Sequence, residues 1–246
     1  MKAAIFPYKR TSESAKFLAD YIEGRLVSGT RELASDEILI NWGGSQLVPS
    51  RWDRKWLNHP DKIYNAVHKL RAFKLFKEAG VLYPPYTTNR ELVIQWLVQN
   101  NIVVARQTSC GFMGQGISIL KEPNDSIPEA EFYSKHVKHD EEYRIHVFKD
   151  QIINVGQKFK YDRTADPLIR NWGAWRFKNP GDAPYKVMTQ SLNAIKALGL
   201  HFGAVDVGYC YNGDMAYVFE VNTAPGAGHN TITRYAKVFL QYLRSL

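Results

Sequence analysis

Three oxygen-bearing side chains stand near one another in the last third of the chain. "FGAVDVGYC" carries Asp206 inside an apolar run, and "VFEVNTAPG" carries Glu220 and Asn222 before Pro225-Gly226 stops the strand. Residues two apart on a strand share a face. Glu220 and Asn222 therefore converge, and Phe219 and Val221 are expected to face a core. Two carboxylates and an amide oxygen suit one or two magnesium ions held beside phosphates. Two plainer readings stay open. The strand can be an amphipathic one, wet on its polar face and closed by a turn. Asp206 needs a partner against desolvation, and that partner can be a buried arginine instead of a metal.

A glycine-rich loop is the second chemical signal. Gly111, Gly114 and Gly116 lie in "QTSCGFMGQG", between the strand-like runs "NIVVAR" and "GISILK". A P-loop or a dinucleotide fingerprint needs a helix directly after its glycines, so both are excluded. A hairpin tip can instead fold over phosphates with its backbone N–H groups, although an ordinary turn has the same composition. Arg106 ends the strand entering this loop and Lys69 lies on the helix before it. Each could touch a phosphate, against a default of solvated charge.

The elements that must position these groups can be read from periodicity. "KAAIFPY" and "EILINWGG" read as strands around the helix "SAKFLADYIEG". "DKIYNAVHKLRAFKLFKEAG" reads as one helix with Ile63, Val67, Leu70, Phe73 and Phe76 on a face and Gly80 at its end. Thr88 with Glu91 suggests a capping box ahead of "LVIQWLVQN". Strands follow at "EFYSKHV", "EYRIHVF" and "QIINVGQKF", and a loop in "IRNWGAWRF" leads to a short strand. "PYKVMTQSLNAIKALG" is a helix from Pro184 to Gly199, and Asn212-Gly213-Asp214 turns the last strand pair. A short helix, "RYAKVFLQYLRSL", closes the chain, and His229 just before it reads as a loop histidine.

With 246 residues, 45% of them hydrophobic, the chain can bury a core in two or three subdomains. No stretch approaches membrane-spanning length, and the start does not read as a signal peptide. Cys110 and Cys210 are the only cysteines, which implies neither a disulfide framework nor a zinc site and fits a reduced, cytoplasmic setting. A net charge of +8 points to an anionic ligand or partner: nucleotide phosphates, an acidic peptide or nucleic acid.

The order Lys69, Arg106, glycine-rich hairpin, "EYRIHVF", Asp206, "FEVNTAPG" resembles the ATP-grasp superfamily, and within it the RimK-like amino-acid ligases. The resemblance spans roughly residues 58–230. It implies an α+β fold in which nucleotide is held between two α+β subdomains, preceded by a short α/β unit. The expected divisions are 1–85, 86–137 and 138–246. It also implies that Lys69 and Arg106 contact nucleotide phosphates, and that Ser109, Gly111, Gly114 and Gly116 belong to a loop closing over them. Arg106 stands where many relatives have lysine, which keeps charge but changes donor geometry. Ser134, Lys135, His136 and Val137 match the hinge whose backbone recognises adenine, Glu142 the acid on the ribose, and Lys158 a cation near the γ-phosphate. Arg170 and Asn171 match groups near a reacting acyl phosphate, and Asp206, Glu220 and Asn222 match magnesium ligands.

The activity so implied is ATP-dependent joining of a carboxylate to an amine or thiol through an acyl phosphate, with ATP and Mg²⁺ as cofactors. An amino acid added to a peptide, protein tail or small molecule fits it. Two other readings compete: a small-molecule or protein kinase, and a nucleotide-dependent nucleic-acid-binding module. The former lacks an HRD-type catalytic loop. The latter would use Arg51, Arg54, Lys55 and the cluster Lys158, Lys160, Arg163, Arg170, Arg176, Lys178.

Overall fold

The structure is a computed structural model and describes residues 2–28, 34, 37–45, 56–108, 116–162, 164, 168, 175–226 and 228–246. The amino-terminal unit is a parallel sheet of β1 (Lys2–Pro7), β2 (Arg25–Leu26), β3 (Glu37–Trp42) and β4 (Trp56–Leu57), in the order β2-β1-β3-β4. β1 and β3 are almost wholly apolar because both of their faces are covered. Ala4, Phe6 and Leu39 pack with Trp56 on one side. On the other, Ile5, Ile38, Ile40 and Trp42 meet helix α1 (Glu13–Tyr21), whose first turn is capped by Ser12 Oγ accepting from the Ala15 N–H.

The single helix expected after this unit is two: α2 (Pro60–Val67) and α3 (Lys69–Glu78), separated by His68 in an extended conformation. On one unbroken helix Ile63 and Phe76 would point roughly 140° apart. The break re-phases the chain so that Ile63, Ala66, Phe73 and Phe76 enter one core, and it puts Lys69 in the first turn of α3.

A small antiparallel sheet follows, in the order β5-β8-β6-β7: β5 (Tyr86–Thr87), β6 (Val103–Arg106), β7 (Ile117–Leu120) and β8 (Phe132–Lys135). Helix α4 (Arg90–Val98) packs on it through Val93, Trp96 and Leu97. Its cap is Asn89, whose Oδ1 accepts from the Glu91 N–H, not the Thr88 of the expected capping box.

The large sheet is antiparallel, ordered β11-β10-β9-β12-β13 from β9 (Glu141–Phe148), β10 (Gln151–Lys160), β11 (Trp175–Lys178), β12 (Phe202–Cys210) and β13 (Met215–Asn222). One face is apolar over most of its length, with Gln157 and Glu141 hydrogen-bonded at one end. Tyr143, Ile145, Val205, Val207, Val218 and Val221 pack there with α3 and with α5 (Tyr185–Leu198), which ends at the left-handed Gly199. The opposite face changes character along each strand. At one end Phe148 and Phe202 lie under Trp42, Tyr235 and Phe239, so the amino-terminal unit, the sheet and helix α6 (His229–Arg244) share one core. Two residues further along the strands the same face carries His146, Arg144 and Glu142, and Ala204 and Asp206.

Phe219 does not enter the core as expected. Asp206 opposes Glu220 while Val207 opposes Val218, leaving Phe219 as the extra residue of a β-bulge. A bulge breaks the two-residue alternation, so Phe219 joins Glu220 on the polar face. There it lies over Gly208, where a Cβ would meet the Phe219 ring at 2.4 Å. Among the described residues no helix is long and apolar enough to cross a membrane.

Candidate active site

Register builds the site. Gly156, Arg144, Asp206 and Glu220 lie side by side across β10, β9, β12 and β13. Arg144 donates through Nε and Nη2 to the two Asp206 oxygens at 2.6 and 2.7 Å. Lys69 Nζ reaches Glu220 Oε2 at 2.7 Å, and Asn222 Nδ2 donates to Glu220 Oε1 at 3.3 Å. The Arg144 guanidinium also lies 4.8 Å from the Phe177 ring centroid. Two residues along the strands, Lys158 opposes Glu142 and donates to its Oε1 at 2.7 Å, with His139 Nε2 3.6 Å from the other oxygen.

Two neighbouring carboxylates, Glu220 and Asp206, are therefore flanked by the cations Lys69 and Arg144. Burial pushes the Asp206 carboxyl above its ordinary range; Arg144 opposes this and Glu220 adds to it. Lys69 holds the Glu220 carboxyl well below the usual carboxylate range. Arg106 comes from the small sheet. Burial lowers its guanidinium and Glu220 offsets part of that, which places Arg106 in the field of the same carboxylate.

The donor set fits a magnesium ion shared with phosphates. Among the described residues no group of three or more His, Cys, Asp and Glu forms an all-protein cage. Magnesium, however, is usually held by one or two carboxylates plus substrate phosphates. Asp206 uses one lone pair per oxygen on Arg144, and a carboxylate oxygen has two. The buried-arginine reading of Asp206 is thus realised in Arg144, and it leaves acceptor capacity for a cation.

The structure brings Lys69, Arg106, Asp206, Glu220 and Asn222 together, and joins Lys158 to Glu142. Ser134 and Lys135 lie in β8, between β5 and β6. The Lys135 and His136 amides donate to the Pro85 and Ile102 carbonyls, so these two N–H groups anchor this segment to its neighbours. The Val137 carbonyl lies 2.7 Å from His139 Nδ1. Gly116 closes the hairpin with φ +66°, its carbonyl accepting from the Gln107 N–H. Ser109, Gly111, Gly114, Arg170 and Asn171 lie outside the described residues. His229 opens α6, its ring 4.1 Å from that of Phe17, so it is not a loop histidine.

Sequence reasoning missed Arg144, His139 and Phe219. Arg144 had a signal: it alternates with Glu142 and His146 in "EYRIHVF", so the three share a face. Phe219 had none, because a bulge is set by the partner strand.

Beyond Arg144 a cavity of about 390 Å³ opens between β9, β10, β11 and the start of α6. His146, Asn154, Arg176, Lys178 and Arg234 line it with Arg144, and no Asp or Glu does among the described residues.

The architecture is shared with solved structures. The ligase PsnB complexed with a minimal precursor superposes with a TM-score of 0.73 over 100% of this chain and 99% of that one, at 13% identity. D-alanine–D-alanine ligase from Bacillus anthracis gives 0.64 over 98% and 99%, at 13% identity. Macrocyclase MdnC from Microcystis aeruginosa MRC, bound with precursor peptide MdnA, gives 0.62 over 97% and 99%, at 16% identity. The chain has the ATP-grasp fold. No protein-family model and no curated protein matches the sequence.

Proposed function

We propose that the protein is an ATP-dependent carboxylate–amine ligase. One observation carries this reading: the row Lys69–Glu220–Asp206–Arg144 on the floor between the two sheets, with Arg106 reaching it from above. Such a row neutralises phosphates at one edge and leaves two carboxylates and an amide oxygen for a cation. Magnesium, when bound at Asp206, Glu220 and Asn222, supplies charge neutralisation for a transferring phosphoryl group.

In this reading Lys69 and Arg106 hold the nucleotide phosphates, and Phe219, packed against Gly208 beside the His139 ring, offers an apolar contact for the base. Glu142 holds the ribose. Lys158, 2.7 Å from Glu142, is then released toward the transferring phosphate. Ser109 to Gly116 would close over the phosphates, and Arg170 and Asn171 would serve the acyl phosphate. A carboxylate is a poor electrophile. Attack of its oxygen on the γ-phosphorus gives an acyl phosphate and ADP, and an amine then displaces phosphate. Desolvated, pre-positioned cations favour the charge that develops. The cations lining the cavity, and the precursor peptides held by PsnB and MdnC, support an acidic peptide or protein tail as substrate.

The test is incubation with Mg-ATP, pooled amino acids, acidic peptides and hydroxylamine, with ADP and hydroxamate measured together. ADP and hydroxamate appearing together, and both lost in Glu220→Gln, is the expected result. ADP with no hydroxamate points to phosphorylation of an alcohol or to simple ATP hydrolysis, and overturns carboxylate activation.

A further inference from the structure

Gly43 and Gly44 end the run "EILINWGG" and take no part in the site described above, yet each is fitted to a different neighbour. A Cβ on Gly44 would meet the Phe6 ring at 2.3 Å, inside the amino-terminal unit. A Cβ on Gly43 would meet the Ala224 Cβ at 2.6 Å, across to the segment that leaves β13. Ala224 stands two residues after Asn222 and four after Glu220. The turn after β3 therefore touches the exit of the strand that carries two of the three candidate metal ligands.

The two sides of this contact are unequally held. Trp42 is fully buried, stacks on Phe202, and accepts at its carbonyl from the Tyr8 N–H. Gly43 is bridged to Pro7 and has φ +86°. The Asn41 side chain, also fully buried, clamps Gly44 by accepting from its N–H and donating to its carbonyl, both at 2.8 Å. On the other side, a Cβ on Gly226 would meet nothing within 4 Å. Apolar carbons in contact sit about 3.5–4.0 Å apart, so a methyl on Gly43 leaves about 1 Å to be made up. The clamped turn resists, and the exit of β13 yields. That matters because magnesium demands near-ideal octahedral geometry, and a binding constellation tolerates displacements of only about 0.5 Å.

We propose that the amino-terminal unit positions the ligand end of β13, with Gly43 as the positioning residue. Its missing side chain lets Ala224 seat against the turn, and that seat fixes where Asn222 and Glu220 stand. The inference rests on the ligase reading above for what these two residues hold, and on the packing alone for how they are held. Gly43 acts through Ala224 and reaches no ligand itself.

A cycle of variants in the full chain tests this. Gly43→Ala adds the methyl, and Ala224→Gly removes its obstacle. In the double variant the atoms nearest the new Cβ are Tyr8 Cβ at 3.3 Å and the residue 224 amide nitrogen at 3.5 Å. Left-handed strain at position 43 is the same in the single and the double variant, so only the contact differs. Gly44→Ala is the control for damage confined to the amino-terminal unit. The first readout needs neither metal nor nucleotide. It is the side-chain amide of Asn222, which donates to Glu220 Oε1 at 3.3 Å, seen by ¹⁵N-asparagine labelling and assigned by its loss in Asn222→Ser. Gly43→Ala should move it, the double variant should match Ala224→Gly alone, and Gly44→Ala should leave it in place. The second readout is the Mg²⁺ concentration giving half of the metal-dependent gain in ADP affinity. Gly43→Ala should raise it about tenfold or more, the range for lost outer-shell support, and the double variant should restore it. Should Gly43→Ala not fold, Ala224→Val presses the same contact from the other side and is read in the same way. An amide resonance that Gly43→Ala leaves unmoved, that Gly44→Ala moves as far, or that the double variant does not restore overturns the proposal whether or not the protein is a ligase. An unchanged Mg²⁺ midpoint in Gly43→Ala also overturns it. Wild-type protein whose ADP binding ignores Mg²⁺ refutes the metal site and the ligase reading instead, and the amide resonance still decides the positioning.

Discussion

Two arginine–carboxylate pairs in this chain have the same chemistry and opposite characters. Arg25 on β2 donates through Nε and Nη2 to Glu37 on β3, at 2.8 and 2.7 Å. Arg144 makes the same fork to Asp206. Yet Glu37 is held below its ordinary range, Arg25 being the main cause, whereas Asp206 is pushed above its own. Surroundings make the difference. The Arg25 side chain is 44% exposed and no second carboxylate among the described residues pairs beside Glu37 in the sheet, while Arg144 and Asp206 are nearly covered and Glu220 stands opposite Asp206. A pair that closes a sheet edge neutralises itself. Asp206 is covered and stands opposite a second carboxylate, so its own arginine does not fully offset the cost of its charge, and a bound cation would offset more of it.

The largest expected effect separates the two on activity. Glu220→Gln should lower ADP formation by about a hundredfold or more, while Glu37→Gln leaves it within about twofold, since Glu37 touches nothing in the cleft. Equal losses in the two variants would erase the distinction. Stability comes next. Arg144→Met strands a buried carboxylate and should cost about 3–5 kcal/mol in urea unfolding. Arg25→Met should cost under about 1 kcal/mol. Adding Asp206→Asn to Arg144→Met should recover part of the loss, because no uncompensated charge then remains.

Ligand linkage is a smaller effect. Mg-ADP should raise the melting midpoint of the wild type and of Glu37→Gln, by an amount that grows with ligand concentration. Glu220→Gln should show little rise. The smallest effect is in pH. Glu37 is depressed in the folded state, so its contribution is present above the unfolded pKa of about 4.3 and fades as pH falls through its folded value. Asp206 is raised, so its ionisation costs stability as pH climbs from about 3.9 through its folded value. Unfolding free energies between acid and neutral pH should therefore show opposite slopes removed by Glu37→Gln and Asp206→Asn.

Local periodicity carried most of the element assignments. β6 and β7, β9 and β10, and β12 and β13 fall where alternation and turn residues put them, because a strand's pattern and a tight turn are properties of short windows. Gly199 ends α5 for an equally local reason, its left-handed backbone. Three features were not legible in that way. The kink at His68 reconciles two apolar phases with one core, and only the core decides it. The bulge at Phe219 depends on the strand it faces. The Arg144–Asp206 fork joins residues 62 apart in sequence, and nothing near either one names the other.

By itself, then, the sequence determined the inventory and its order: strand-borne Asp206, Glu220 and Asn222, the cations Lys69 and Arg106, and the helices and strands that carry them. Tertiary structure decided the pairing. Which cation neutralises which carboxylate and which face Phe219 joins both follow from register between distant strands and from what packs over them. Electrostatic energy depends on separation in space and on burial, and a linear pattern of residues encodes neither until the sheets have formed.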